Sequence, residues 1–166
     1  MAGADAGASV VLLDAAVRPL ELTAEESGLS LDYIAEPIGM AAPPAALGPF
    51  AGGVRAQTPF SPVHLVARRT AGGDVAFSWV RRSRLDGDSW VPAEVPLDEA
   101  AEAYRLEILA GAAVRRTAEV GAARFVYPQA MELADFGGLQ ASIRVRVRQL
   151  GRVAEGIASE AVLVVG

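Results

Sequence analysis

The chain has 166 residues, with 15 basic and 20 acidic side chains, a net charge of −5 and no cysteine. The lack of cysteine excludes disulfides, thiolate metal sites and a cysteine nucleophile, and the single histidine, His64, excludes a multi-histidine metal cluster. An acidic chain without a basic block is a poor nucleic-acid binder, because phosphate neutralisation supplies most of that affinity. We therefore expect no nucleic-acid partner, no metal and no cofactor.

The first third of the chain predicts a small β-rich region, residues 1–58, that is incomplete by itself. Three short apolar runs, Val10–Leu13, Pro19–Leu22 and Leu29–Ile34, are separated by polar turn residues, which is typical of strands. Residues 36–59 are dense in proline and glycine and predict an irregular connection. The first residues have no basic segment, and no apolar run approaches the ~18 residues of a membrane span, so we expect neither a signal peptide nor membrane insertion.

From residue 62 onward, alternation of apolar and polar residues predicts seven short strands and therefore an antiparallel β-sandwich. Six of the predicted strands are 63–68, 75–80, 114–120, 124–127, 143–148 and 158–165, and the seventh is counted within Asp98–Ala110. The segment Asp98–Ala110 fits a helical stripe as well as a strand face, and periodicity leaves both open. One or two helical turns are predicted over Gln129–Phe136, ended by Gly137.

Two hairpin-like segments carry a resemblance to a known fold family. The run SPVHLVARRTAGGDVAFSWVRRSR resembles the opening hairpin of fibronectin type III domains, and IRVRVRQLGRVAEGIASEAVLV resembles their last hairpin. The resemblance implies an all-β fold, a fibronectin type III-like antiparallel β-sandwich over residues 59–166 preceded by the small β-rich region. It also implies that Trp79 and Tyr104 anchor the core from facing sheets and that 104–110 is the third strand.

A narrower resemblance concerns the tract SWVRRSRLDGDSWVPAEVPLDEAAEAYRLEIL followed by DFGGLQASIRVRVRQLG. In order and spacing it looks like the C-terminal part of the baseplate hub, or host-specificity protein, of siphophage-like tails, and more closely of alphaproteobacterial gene transfer agents. The earlier run LLDAAVRPLEL is similar to the β-region that precedes the sandwich in that family. Hub proteins are much longer than this chain and carry tail-assembly domains upstream.

The hub resemblance implies a non-enzymatic structural and attachment module at the tail tip of a virion or gene-transfer particle, made in the bacterial cytoplasm without a signal peptide. The implied partners are other tail or baseplate proteins, with host cell-surface polysaccharide as a candidate receptor, and the full-length parent is expected to be a homotrimer. The alternative function is a carbohydrate-binding or spacer module of an extracellular glycan-acting protein.

The loop after the second sandwich strand is the candidate surface-binding site. Its candidate residues are Arg81, Arg82, Arg84, Asp86, Asp88 and Trp90. A tryptophan beside arginines in a polar loop is suited to stacking on sugar rings or anchoring a partner, whereas the alternative is that Trp90 covers the end of the sandwich. Together with Arg68 and Arg69, the loop arginines predict a basic patch for anionic polysaccharide, the alternative being a solvated strand end.

The sequence predicts no enzymatic activity. There is no G-x-S-x-G motif, and the paired carboxylates Glu25–Glu26, Asp86–Asp88 and Asp98–Glu99 lie in turns or at element starts. Asp86 does not begin a calcium loop, because the twelfth position, which requires a bidentate glutamate, is Leu97. A last set of charged residues, Arg144, Arg146 and Arg148, is predicted to pair with acids on a neighbouring strand such as Glu107 or Glu119.

Overall fold

The structure is a computed structural model that describes residues 20, 22–23, 25–36, 39, 43–85 and 94–166. Its internal contacts divide the chain into two units, Met1–Gly53 and Val54–Gly166.

The described part of the first unit contains one antiparallel pair of strands. β1 (Ser30–Ala35) pairs with β2 (Ala45–Ala51), with Leu31 opposite Phe50 and a register shift after Tyr33. β1 confirms the run predicted at 29–34. The predicted strand at Val10–Leu13 lies outside the described residues, and the described residues of Pro19–Leu22, which are Leu20 and Leu22, lie in no strand.

β2 contradicts the prediction that residues 36–59 form an irregular connection. Both strands of a two-stranded sheet are edges, where a proline such as Pro49 is tolerated because its missing N–H removes no essential bond. Gly48 adopts a φ of +75°, which a residue with a side chain rarely does, and it lies opposite Tyr33 next to the register shift. Pairing with β1 therefore stabilises a strand whose own composition indicates a loop.

The second unit is a fibronectin type III-like antiparallel β-sandwich, as predicted. After a short 3₁₀ turn at Val54–Gln57, its described residues form seven strands and one helix. These are β3 (Val63–Arg69), β4 (Val75–Val80), β5 (Tyr104–Ala110), β6 (Ala113–Val120), β7 (Arg124–Tyr127), α1 (Gln129–Phe136), β8 (Ser142–Gln149) and β9 (Ser159–Val164). One sheet has the order β3-β4-β7 and the other the order β6-β5-β8-β9. Every predicted strand in this unit agrees with the structure to within one residue at each end.

The core lies between the inner faces of the two sheets. It contains Val75, Phe77 and Trp79 from β4, facing Leu106 and Ile108 from β5, all of them buried. The rings of Trp79 and Tyr104 meet edge to face across the sandwich, with centroids 5.2 Å apart and an interplanar angle of 76°. This contact confirms the two expected anchors, and β5 resolves the ambiguous segment, because a strand paired on both sides obtains its hydrogen bonds from β6 and β8.

The helix α1 connects the two sheets and is held by a buried carboxylate. It follows Pro128 and ends at Gly137, whose φ of +73° allows its N–H to reach the Leu133 carbonyl oxygen at 2.8 Å. Glu132 is fully buried and accepts two hydrogen bonds from the Arg69 guanidinium, at 2.9 and 3.0 Å. Arg69 therefore fixes the helix to the end of β3.

Candidate functional site

The loop between β4 and β5 begins with an arginine that binds the far end of the same loop. The Arg81 side chain, which is 13% exposed, donates from Nε to the Val95 carbonyl oxygen at 2.8 Å, and Nη2 donates to the same oxygen. Its guanidinium also lies 3.2 Å from Glu94 and 3.4 Å from Glu102. These bonds hold the first residue of the loop against residues that lie more than a dozen positions later.

A second arginine in this loop makes a similar connection. Arg84 donates from Nε to Asp98 at 2.7 Å and from Nη2 to Glu99 at 3.1 Å, and its Nη1 donates to the Ala56 carbonyl oxygen at 3.2 Å. The other oxygen of Glu99 accepts the backbone N–H of Arg152 at 2.9 Å. The 3₁₀ segment, both ends of the β4–β5 loop and the β8–β9 connection therefore meet at this point.

The charges at this meeting point are matched inside a largely buried environment. The side chains of Asp98 and Glu99 are only 7% and 6% exposed. Burial by itself would raise the pKa of Asp98, but the hydrogen bonds from the side chain and backbone of Arg84 outweigh it and hold that pKa below its ordinary value. Both carboxylates are thus acceptors already committed to hydrogen bonds within the structure.

A cleft of about 390 Å³ opens beside these ion pairs. Its lining combines the charged groups of Arg84, Asp98 and Arg152 with the exposed side chains of Leu85 and Val153. Such a lining offers hydrogen-bond donors and acceptors next to a small apolar surface. It is therefore suited to a polar ligand such as a saccharide hydroxyl group more than to an apolar molecule.

The third loop arginine interacts with an aromatic ring. The Arg82 guanidinium carbon lies 5.0 Å from the centroid of the Phe60 ring, within the range of a cation–π contact. Arg82 is exposed and forms no ion pair with the described residues.

The predicted site residues are therefore placed in different ways. Arg81 and Arg84 lie in the β4–β5 loop but are paired with its acids, and Arg82 covers Phe60. Asp86, Asp88 and Trp90 lie outside the described residues, so the predicted stacking role of Trp90 remains a prediction.

The predicted grouping of Arg68 and Arg69 with the loop arginines is wrong. In the β3–β4 hairpin Arg69 lies opposite Val75, at the start of β4, whereas the loop arginines follow Val80 at its other end. Six residues of strand separate these ends by roughly 17–20 Å. Alternation along β3 also turns Arg69 to Glu132 and Arg68 to the opposite face.

The arginine series on β8 pairs with acids, as expected from the sequence. Arg146 binds Glu107 on β5 at 3.2 Å, which is one of the two predicted partners. Glu119, the other predicted partner, instead pairs with Arg105 at 2.8 Å, because β6 neighbours β5 and not β8.

The ion pairs of the loop were missed by sequence reasoning. Asp98 and Glu99 were recognised only as neighbouring carboxylates at a turn, and Arg152 carried no signal at all. Nothing in the local pattern relates Arg84 to acids 14 and 15 positions later.

Within the described ranges, no group of three or more histidine, cysteine or acidic side chains is arranged to hold a metal ion. No helix in the same ranges has the length and apolar character needed to cross a membrane.

Comparisons with solved structures give matches that are low in sequence identity and in TM-score. The chain is similar to domains d3-d4 of the rat CD45 extracellular region, with a TM-score of 0.42 and 11% identity, over 98% of this chain and 78% of that chain. It is also similar to a myokine structure, with a TM-score of 0.38 and 12% identity, over 63% of this chain and 95% of that chain. No protein-family model and no curated protein matches the sequence.

Proposed function

We propose that this chain is a non-enzymatic structural and attachment module of a phage-like tail tip, of the kind found in the baseplate hub of a gene transfer agent or siphophage. It contacts the host cell surface through the β4–β5 loop, with surface glycan as the receptor. The class of particle rests on the resemblance of RLDGDSW, DFGG and the arginine-rich strand to hub proteins.

The observation that carries the attachment role is the double anchoring of the β4–β5 loop. Arg81 and Arg84 on its first side bind Val95, Asp98 and Glu99 on its second side. Binding residues are commonly presented on loops that a rigid scaffold positions, and these bonds attach the two described ends of this loop to the sandwich. The segment between the anchors includes Trp90, the residue type that contributes most often to binding energy at contact surfaces.

The direct test is binding of the purified, labelled chain to whole alphaproteobacterial cells and to their extracted capsule and lipopolysaccharide. We expect saturable binding that Trp90→Ala weakens by about 1–3 kcal/mol. Phe50→Ala removes an exposed aromatic ring from β2 and is the matched control, which should bind as the unaltered chain does.

A chain that binds neither cells nor extracts would contradict the host-contact role and leave a spacer whose partners are other tail proteins. Binding to purified neutral glycans without binding to cells would favour the carbohydrate-binding module of a glycan-acting protein. The cleft beside Arg84 is the feature that such a module would use, and Arg152→Ala tests it separately from Trp90.

A further inference from the structure

The outer face of the sheet β3-β4-β7 carries a shallow groove of about 450 Å³ that is separate from the β4–β5 loop. We call this surface the basic face. It is formed by Val66, Arg68, Ala76, Ser78, Arg124 and Val126, and Phe77 and Phe125 also line the groove. None of the three strands contains an aspartate or a glutamate.

The strand register fixes where the two arginines of the basic face lie. Arg68 is in the same cross-strand row as Ala76 and Val126, and Arg124 is in the next row of this face, with Ser78 and Val66. The arginines occupy the two outer strands on a diagonal. From strand spacing and rise, their Cα atoms are about 12 Å apart.

The positive charges of both arginines are not neutralised by any described residue. Arg68 and Arg124 are exposed, and neither forms an ion pair with any described residue. Between them lie apolar side chains, including Val66 and Val126, which are 41% and 55% exposed. A face with two cations, exposed valines and no carboxylate attracts a ligand that is acidic at its ends and apolar between them.

We propose that the basic face binds an extended acidic segment of a partner protein, in which two carboxylates four residues apart flank an apolar side chain midway between them on the same face. In an extended chain four residues span about 13 Å, which matches the separation of the two arginines. A peptide fits better than an anionic polysaccharide. Phe77 is buried and Phe125 is partly buried against the core, so neither of the two rings that line the groove is exposed for a sugar to stack on.

The test is a titration of the isotope-labelled full chain, followed by the amide signals in its nuclear magnetic resonance spectrum. The probe is the capped peptide Ser-Glu-Thr-Val-Thr-Glu-Ser, whose two glutamates and central valine project to one face when it is extended, and the matched control peptide has glutamine in place of both glutamates. We expect saturable shifts at Arg68, Ser78 and Arg124 with the acidic peptide, weakened by added salt, and no saturable shifts with the glutamine peptide.

Variants distinguish this surface from the rest of the molecule. Arg68→Gln and Arg124→Gln should each weaken binding by about threefold and together by about tenfold, as expected for exposed ion pairs at separate positions. Arg144→Gln, on the opposite sheet, and Trp90→Ala, in the loop, should leave peptide binding unchanged.

Several outcomes would overturn the proposal. Equal binding of the two peptides, shifts located elsewhere, or no saturation by 10 mM peptide (about −2.7 kcal/mol or weaker) would each contradict an acidic-segment site. Binding of polygalacturonate through the same two arginines, without binding of the peptide, would reassign the face to polysaccharide.

Loss of attachment to cells in Trp90→Ala with peptide binding intact would leave this inference standing independently of the proposed function.

Discussion

The two outer faces of the sandwich differ in whether their charged side chains form ion pairs. Of the arginines on the strands β6-β5-β8-β9, Arg115, at the register shift of β6, is the one without an ion pair among the described residues. On this face and at its border, eight other arginines and glutamates alternate across neighbouring strands and pair with one another. These residues are Arg105, Arg144, Arg146, Arg148, Glu107, Glu119, Glu155 and Glu160. The basic face has two arginines and no acid. A face whose charges are mostly paired offers little net charge to a ligand, whereas a face with uncompensated charge attracts a ligand of opposite charge.

The same contrast occurs between two adjacent residues of β3. Arg69 bonds to Glu132, to the Gly73 carbonyl oxygen at 2.8 Å and to the Gln140 carbonyl oxygen at 3.0 Å. Arg68, on the other face of the strand, has no ion pair with the described residues. The residue type is therefore not informative by itself. Which face of the strand an arginine occupies decides whether it holds the fold or remains available.

The largest effect is expected from breaking the buried pair. Glu132→Ala leaves Arg69 without its carboxylate and should lower the free energy of unfolding by about 3–5 kcal/mol, because a charge is left desolvated and unpaired. Urea unfolding followed by tryptophan fluorescence measures this. Ala130→Gly, on the exposed side of the same helix, is the control for helix propensity and should cost about 1 kcal/mol. Equal losses in both variants would show that the pair contributes nothing beyond the helix itself.

Lowering the pH should weaken the attachment of α1, because two of its carboxylates are paired with arginines. The Arg69 hydrogen bonds hold the pKa of Glu132 below its ordinary value of 4.5, and those of Arg116 hold the pKa of Asp135 below 3.8. A carboxyl group with a lowered pKa stabilises the fold above its unfolded pKa, and this contribution is lost as pH falls through the folded pKa.

The free energy of unfolding should therefore fall from pH 5 towards pH 2. The decline should be shallower in Glu132→Gln, which has no carboxylate left to protonate. Parallel pH profiles of the two proteins would contradict this assignment.

Removing one charge from the face of β6-β5-β8-β9 should have a smaller effect. Arg146 contacts both Glu107 and Glu160, at 3.2 and 2.9 Å, but its side chain is 31% exposed. Arg146→Ala should therefore cost about 0.5–1 kcal/mol at low salt and less at 0.5 M salt, because water and ions screen such pairs. Thermal unfolding at the two salt concentrations measures the difference. A loss that does not depend on salt would indicate packing of the side-chain stem instead.

The smallest effect is expected on the basic face. Arg68→Gln and Arg124→Gln remove exposed charges without ion-pair partners among the described residues, and each should change the free energy of unfolding by less than about 0.5 kcal/mol. The same urea titration measures it. A loss of 1 kcal/mol or more in either variant would mean that the face is part of the structural charge network, and the contrast between the two sheets would then disappear.

Sequence reasoning succeeded where the structural signal is local. Alternation located six of the seven sandwich strands, and Gly137 marked the end of α1. The strand at 104–110 followed only from the resemblance to fibronectin type III domains, because alternation and a helical stripe fit that segment equally well. It failed at β2, whose glycine and proline indicate a loop but whose backbone is paired to β1. For the candidate site it identified the arginines of the β4–β5 loop but not their partners, and it joined two groups of arginines that the hairpin separates.

The sequence by itself determined the inner faces of the strands, the turns and the short helix, because side-chain periodicity and turn chemistry act between residues close in the chain. The tertiary structure decided which charged side chains form ion pairs and which do not. Arg69 and Glu132 are 63 positions apart, and only the packing of α1 against the end of β3 brings them within hydrogen-bonding distance. Electrostatic pairing depends on distance in space, and the fold alone sets that distance.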